Sequence, residues 1–126
     1  MRIQKGAVTY ARDFKVDEEV AIPESALPSL YPIVKVENCR IKGLIYRDED
    51  DRLFADVDVM ASLICVDGRD LSKFGHRFAS SGIYEILEKE DGEGEGFILP
   101  GAYLDTAELS ECVLRFEIDP FIKKPD

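Results

Sequence analysis

The sequence predicts an α+β protein of one domain, 1–126, built from a mostly antiparallel β-sheet and one amphipathic helix near the C-terminus. Every second residue from Leu53 to Cys65 is apolar, which is the pattern of a long strand with one buried face. Apolar residues recur at helical spacing after Asp105, and turn-forming residues separate the segments between these two elements. Because half-buried strands are typical of antiparallel sheets, antiparallel pairing is favoured. A barrel-like sheet and a sandwich both remain as alternatives for its overall arrangement.

The centre of the predicted sheet is a hairpin of two long strands. The buried row of the second strand contains Leu53, Ala55, Val57, Val59, Ala61, Leu63 and Cys65. The first strand, residues 33–46, also alternates, but its phase changes twice, and a β-bulge near Asn38 or Gly43 explains the change. Residues 47–52, Arg-Asp-Glu-Asp-Asp-Arg, join the strands as a charged, solvated turn. That turn lacks the spaced ligands and central glycine of a calcium-binding loop.

The segments after the hairpin predict shorter elements. An Asp-Gly turn at 67–68 precedes one or two strands over residues 74–87, interrupted at 80–82, followed by an acidic loop at 88–96. The loop has acidic residues between its glycines and no Lys-Ser/Thr pair, so it does not fit a phosphate-binding loop. A short strand at 97–99 stops at Pro100.

The C-terminal helix has a recognisable start and end. Asp105 is its predicted N-cap, with Glu108 three residues further on, and Pro120 ends the pattern. The predicted buried stripe contains Leu109, Cys112, Val113 and Phe116. Residues 121–126 are expected to form a loose tail.

The first 30 residues predict only short strands and loops. Residues 6–14 are a candidate strand in which Val8, Tyr10 and Phe14 take part. Pro23, Pro28 and Pro32 exclude a long helix through residues 20–32.

Charge and cysteine content restrict the partners. With 16 Lys+Arg against 26 Asp+Glu, the net charge of −10 repels phosphates and anionic membranes and favours a basic protein partner. No apolar run is long enough to span a membrane. The chain has three cysteines, an odd number, and no two of them have the spacing of metal ligands. We therefore expect free, mostly buried thiols in a reduced cytoplasmic protein.

No motif specifies a catalytic, cofactor-binding or metal site. His76 is the only histidine, and it shares a strand face with Phe74 and Phe78. A Cys65–His76 thiol dyad is a conceivable alternative, which makes a small cytosolic enzyme using Cys65 or His76 the second hypothesis. We therefore expect no enzyme activity, no cofactor and no small-molecule substrate.

The order of several short motifs resembles the YceD family of large ribosomal RNA subunit accumulation proteins. The resemblance covers residues 33–126, where a long alternating strand is followed by an aromatic strand, an acidic loop and a proline-terminated helix. The matching motif positions are Cys65, Arg69, Leu71 and Asp105. Many members carry cysteine pairs that would form a zinc site, but here Gly68 follows Cys65 at the second cysteine position, and no cysteine follows Pro120. Cys65 would be a lone remnant that cannot hold zinc.

The resemblance implies a non-enzymatic factor in large ribosomal subunit assembly and ribosomal RNA accumulation. Together with the negative charge, the resemblance predicts a basic ribosomal protein or assembly factor as the partner. Direct contact with RNA is the less favoured alternative. The candidate contact residues are Asp48, Glu49, Asp50 and Asp51, together with the 88–95 loop. An acidic protein-binding adaptor unrelated to ribosomes is a further alternative.

Overall fold

Two sheets, antiparallel except for one strand pair, and one α-helix make up the structure, a computed structural model that describes residues 1–89 and 96–125. The main sheet has the order β2–β3–β4–β5–β6, with bounds Phe14–Glu19, Ile33–Arg47, Leu53–Val66, Lys73–Leu87 and Gly96–Ile98. The small sheet pairs β1 (Arg2–Gln4) with β7 (Tyr103–Asp105), and α1 spans Thr106–Glu117. Two 3-10 helices span Lys5–Ala7 and Glu24–Leu30.

The predicted fold class is confirmed: the protein is α+β with mostly antiparallel strands and a C-terminal helix. The main sheet is open, with β2 at one edge and β6 at the other, so the barrel-like alternative is wrong. One pair departs from the antiparallel pattern, because β5 and β6 run parallel over Glu85–Leu87.

The buried row predicted for β4 is confirmed at every position. All seven side chains from Leu53 to Cys65 are at most 5% exposed. They pack in one hydrophobic cluster with Leu109 and Val113 of α1 and with Leu30 of the second 3-10 helix. The period of two residues therefore orients the central strand, because a slip of one residue would turn this whole row to solvent.

The structure selects one of the two predicted bulge positions in β3. The register with β4 shifts between Val36 and Asn38, and a second shift lies between Ile33 and Lys35. No bulge occurs at Gly43, which pairs regularly with Val57. Its φ of +154° and a neighbouring carbonyl explain the glycine instead.

Strand β5 is continuous, so the interruption expected at 80–82 does not occur. Its register with β4 has no irregularity from Lys73 to Ile86. The even-numbered side chains share the core face along the whole strand, with Phe78 and Tyr84 buried and His76 half-buried between flanking phenylalanines. Gly82 leaves room for the phenol of Tyr84, whose oxygen would lie 2.7 Å from an added Cβ.

The helix start is confirmed, whereas its buried stripe needs a correction. Asp105 caps α1, since its Oδ1 accepts from the Ala107 N–H at 2.9 Å. Leu109 and Val113 are buried as predicted, but Phe116 is 69% exposed and Leu114 is buried in its place. The buried stripe is therefore rotated by about one residue later in phase, to Leu109, Ser110, Val113 and Leu114, and Cys112 is only half-buried.

Both chain ends differ from the prediction. The strand expected over 6–14 is wrong, because residues 5–7 form a 3-10 helix and β2 begins only at Phe14. The tail predicted to be loose over 121–126 is instead anchored at two of its described residues, Ile122 and Lys124. Ile122 is 9% exposed and joins the core, and its carbonyl accepts from Gly68 N–H at 3.3 Å, while Lys124 N–H donates to the Asp67 carboxylate at 2.8 Å.

Gly43→Ala should destabilise the fold by about 2–4 kcal/mol, because the positive φ is strained for alanine and the new Cβ would overlap the Asp56 carbonyl. Urea denaturation measures the change. Gly75→Ala is the matched control, since a Cβ there meets nothing within 4 Å and stability should be equal or slightly higher. Equal effects of the two substitutions would contradict the role given to Gly43.

Candidate functional site: an acidic cleft at the hairpin tip

The acidic turn between β3 and β4 is held by its own first residue. The Asp48 carboxylate accepts from the backbone N–H groups of Asp50 at 2.9 Å and Arg52 at 3.0 Å. Asp51 takes the left-handed conformation, with φ of +63°, and its N–H donates to the Asp48 carbonyl. Asp48 is therefore partly used to shape the turn, and Glu49 and Asp50 present their carboxylates to solvent.

Arg47 connects this turn to the N-terminal segment. Its Nε donates to the Val8 carbonyl at 2.8 Å and its Nη2 to the Lys5 carbonyl at 3.1 Å. The same guanidinium donates to the Asp51 carbonyl at 3.0 Å and lies 3.7 Å from the Asp51 carboxylate. The charge of Arg47 is thus engaged, and Asp51 is partly neutralised.

A shallow cleft of about 760 Å³ opens beside the turn. Its lining residues are Tyr10, Asp13, Tyr46, Arg47, Asp48, Glu49 and Asp50. Burial raises the pKa of the Tyr46 phenol, and the nearby carboxylates of Asp56, Asp48 and Asp13 raise it further, so the ring stays neutral at physiological pH.

The chemistry of the cleft suits cationic side chains. Four carboxylates line it, and the one cation in its lining, Arg47, is already hydrogen-bonded to backbone carbonyls. Tyr10 is 65% exposed, so its ring face is open to a cation. The sequence prediction identified the turn, which Tyr46 and Arg47 directly precede, whereas Tyr10 and Asp13 come from a distant segment that only the fold brings to it.

The four positions on which the predicted resemblance to the YceD family rests do not form one site. Cys65 is fully buried at the end of β4, Arg69 and Leu71 lie in the β4–β5 turn, and Asp105 caps α1. In the described part of the chain, no hydrogen bond or ion pair joins Cys65 or Asp105 to either turn residue. Their roles in this structure are packing, turn formation and helix capping.

A buried carboxylate that the sequence prediction missed organises the β4–β5 turn. Asp67 is completely buried and accepts from the Arg69 N–H at 2.7 Å, the Arg69 Nη2 at 2.9 Å and the Lys124 N–H at 2.8 Å. Hydrogen bonds from the Arg69 side chain, then from the two backbone groups, hold the pKa of Asp67 well below its usual range. The sequence signal was an arginine two residues after the aspartate of an Asp-Gly turn.

The three cysteines are free, with Cys39 and Cys65 buried and Cys112 half-buried. Burial raises the pKa of the Cys65 thiol, and it raises that of Cys39 to about 11. In the register, Cys65 faces Phe74 and His76 faces Leu63, and no hydrogen bond between Cys65 and His76 occurs among the described residues. This geometry gives a thiol dyad no support.

Of the acidic loop predicted over 88–95, the structure describes only the first two residues. Glu88, the first residue of the acidic 88–95 loop, accepts from Lys5 Nζ at 2.8 Å and from the Gly101 N–H at 3.3 Å. Residues 90–95 lie outside the described residues. Within the described ranges, no group of three or more His, Cys, Asp or Glu side chains is placed to hold a metal ion, and no helix is both long and apolar enough to cross a bilayer.

Comparison of the chain with protein-family models, with curated proteins and with solved structures finds no match in any of the three. The resemblance to the YceD family therefore stays a prediction from sequence motifs. The geometry of the hairpin tip is the observation on which a functional interpretation has to rest.

Asp67→Asn should remove a pH-dependent part of the stability. A carboxylate whose pKa is lower in the folded state stabilises the fold fully above its unfolded pKa, near 3.8, and loses this contribution as the pH falls through the folded value. Urea denaturation between neutral pH and about pH 2 should show a steeper loss below about pH 4 in the wild type than in the variant.

The control for this experiment is Asp58→Asn, an exposed carboxylate with no hydrogen bond among the described residues. It should keep the wild-type profile. Asp67→Asn should also make the Lys123–Lys124 peptide bond more sensitive to trypsin, because the amide keeps only one of the two carboxylate oxygens that hold the turn and the tail. A variant that keeps both the wild-type pH profile and the trypsin resistance would contradict this role of Asp67.

Proposed function

We propose that the protein is a non-enzymatic factor that binds a basic protein of the large ribosomal subunit, or of its assembly machinery, through the acidic cleft at the hairpin tip. The sequence resemblance suggests the ribosomal setting, and the net charge of −10 suggests the sign of the partner. Free cysteines, two of them buried, fit the reducing cytoplasm as the compartment.

The observation that carries the proposal is the combination of carboxylates and exposed tyrosine in one cleft. Glu49, Asp50 and Asp13 line the cleft, while Arg47 anchors the turn to the carbonyls of Val8 and Lys5 and forms its ion pair with Asp51 instead. A rigid acidic surface loses little conformational entropy when it binds, which favours a Lys- or Arg-rich segment. The Tyr10 ring adds a cation–π contact to the same segment.

Direct binding of RNA is the less favoured mechanism for this function. The cleft itself would repel phosphates, since every titratable group in its lining other than Arg47 and the two phenols is acidic. An accumulation effect on ribosomal RNA would then act through a bound basic protein rather than through contact with the nucleic acid.

The two alternatives differ in what they require of the molecule. An acidic adaptor unrelated to ribosomes would use the same cleft and differ only in its partner. A small cytosolic enzyme would need a reactive Cys65 or His76, but burial of Cys65 and its raised thiol pKa keep the reactive thiolate scarce at neutral pH.

The double variant Glu49→Lys/Asp50→Lys should bind a synthetic Lys/Arg-rich peptide about tenfold more weakly than the wild type, because two exposed attractive charges become repulsive. Isothermal titration or fluorescence anisotropy at low salt measures the affinity. Wild-type binding should weaken steeply as salt rises, since exposed charges are screened.

Glu24→Lys/Glu37→Lys is the matched control, because it changes the net charge equally at exposed positions away from the cleft. It should lose only a small part of the affinity. Equal losses in the two double variants would mean that only total charge matters and that the cleft is not the site.

A further inference from the structure

The main sheet has a packed face, which contacts α1, and an opposite face that is exposed along much of β4. The β4 row from Leu53 to Cys65 points to the packed face, whereas the alternate residues of β4 point to the opposite side, which we call the outer face. Asp56, Asp58 and Met60 on that side are exposed. Because paired residues of antiparallel strands point to the same side, the register with β4 identifies which residues of β3 and β5 share the outer face.

Three cationic side chains surround Ile64 on the outer face. Lys35 is the partner of Ile64 in β3, and Gly75 is its partner in β5. Lys73 and Arg77 lie two residues before and after Gly75, so they point to the same side, and strand spacing sets the three cations about 12–13 Å apart at the backbone. All three are exposed, and among the residues that the structure describes none of them forms an ion pair. A compact group of unpaired positive charges therefore lies on a chain whose net charge is −10.

An apolar pocket of about 400 Å³ opens beside Ile64. Its lining residues are Ile22, Glu24, Leu27, Val34, Lys35, Val36, Ile64 and Lys73, of which five are aliphatic. Consecutive residues of β3 line this one pocket because the register of β3 shifts before Lys35 and after Val36, which re-aims the side chains. Gly75 keeps the neighbouring surface open, since a Cβ added there would meet no heavy atom within 4 Å. Glu24 is the one acid in the lining, so the two lysines give the pocket a net positive charge.

A second, shallow groove of about 520 Å³ continues along the outer face past Ser62 and Arg77. Glu19 and Arg40 in its lining form an ion pair with each other at 4.0 Å, which leaves Arg77 as the uncompensated charge of this groove. Ile64 lines the pocket and Ser62 lines the groove, and these two are alternate residues on one side of β4. The pocket and the groove therefore adjoin and form one elongated surface.

We propose that Lys35, Lys73, Arg77 and the apolar pocket, together called the basic patch, bind an extended acidic segment of another protein. Carboxylates of this segment pair with the three cations, and one of its aliphatic side chains fills the pocket. Charge complementarity favours such a partner, because opposite potentials steer association and suppress partners of the wrong sign. The aliphatic lining adds a selection for apolar side chains that charge alone does not supply.

The basic patch favours a peptide over a nucleic acid. Single-stranded nucleic acids bind largely by stacking their bases on aromatic rings. None of the outer-face residues around the pocket is aromatic; they are Lys35, Asn38, Arg40, Met60, Ser62, Ile64, Lys73, Gly75, Arg77 and Ala79. The net charge of −10 also repels a polyphosphate more strongly than a short segment with a few carboxylates.

The basic patch is remote from the acidic cleft and from the described residues that border 90–95. Ile64 lies about 36 Å along β4 from Leu53, which directly follows the acidic turn. Gly96 pairs with Glu85, which lies about 26 Å along β5 from Arg77. A protein with a basic partner at one end and an acidic partner at the other brings the two partners together. The partner of the basic patch does not depend on the partner proposed for the cleft.

Fluorescence anisotropy with a labelled synthetic peptide, in which leucine alternates with glutamate, tests the proposal at low salt. Lys35→Glu/Arg77→Glu should bind this peptide about tenfold more weakly than the wild type, because two exposed attractive charges become repulsive. Lys15→Glu/Lys42→Glu is the matched control, since it changes the net charge equally at exposed positions in the other half of the outer face. The control should lose only a small part of the affinity, and equal losses in the two double variants overturn the proposal.

The contribution of the pocket is tested with a second peptide that has serine in place of leucine. This peptide should bind the wild type severalfold more weakly, and Gly75→Leu, which fills the open space beside Ile64, should weaken binding of the leucine peptide similarly. Equal affinity for the two peptides overturns the proposal. Tighter binding of a labelled uridine oligonucleotide than of the leucine peptide overturns it as well.

Two further measurements separate this site from the acidic cleft. Glu49→Lys/Asp50→Lys, which removes charge from the cleft, should bind the leucine peptide as well as the wild type or slightly better, so the two sites fail independently. Sedimentation equilibrium should show no self-association of the wild type. Self-association that Glu49→Lys/Asp50→Lys abolishes would mean that the acidic turn of a second copy occupies the patch, and it overturns the proposed partner.

Backbone NMR of the wild type covers the case in which a variant does not fold. Titration with the leucine peptide should shift the amide signals of Lys35, Ile64 and Gly75 and leave those of Glu49 and Asp50 unchanged. The absence of shifts at the patch overturns the proposal.

Discussion

The buried row of β4 is the constraint on which the rest of the structure depends. Its seven inward side chains pack against α1 and the second 3-10 helix, and they fix which face of the whole sheet is turned to the core. Because β4 spans 14 residues, the turns at its two ends lie about 45 Å apart. The acidic turn at 48–51 and the turn at 67–72 are therefore separate surfaces that belong to one rigid strand.

Each of these turns is also joined to one end of the chain by a charged side chain. Arg47 hydrogen-bonds to the carbonyls of Lys5 and Val8, and Asp67 accepts from Lys124 N–H. Burying such groups is costly unless they are fully hydrogen-bonded, and among the described residues no buried side-chain polar atom lacks a partner. The N-terminal segment and the tail are thus held at opposite ends of the sheet, whereas sequence patterns alone predicted a strand over 6–14 and a loose tail over 121–126.

Local patterns predicted much of the fold and little of the site. The β4 row, the long hairpin and the Asp105 cap depend on residues close in sequence, so periodicity and capping rules identified them. The parallel β5–β6 pair and the burial of Ile122 depend on contacts between distant segments, which leave no periodic signal. The roles of the residues in the acidic turn could not be predicted either, because Asp48 and Glu49 are neighbouring acidic residues with nothing in the sequence to distinguish them. Only the fold shows that the first shapes the turn and the second stays free.

The central claim is that the acidic hairpin tip binds a basic component of the large ribosomal subunit. Affinity purification of the tagged protein from its native host, at low and at high salt, tests it most directly. The proposed function predicts recovery of large-subunit proteins or precursors at low salt, and the acidic charge of the cleft predicts their loss as salt rises. Recovery of no ribosomal component at either salt would contradict the claim.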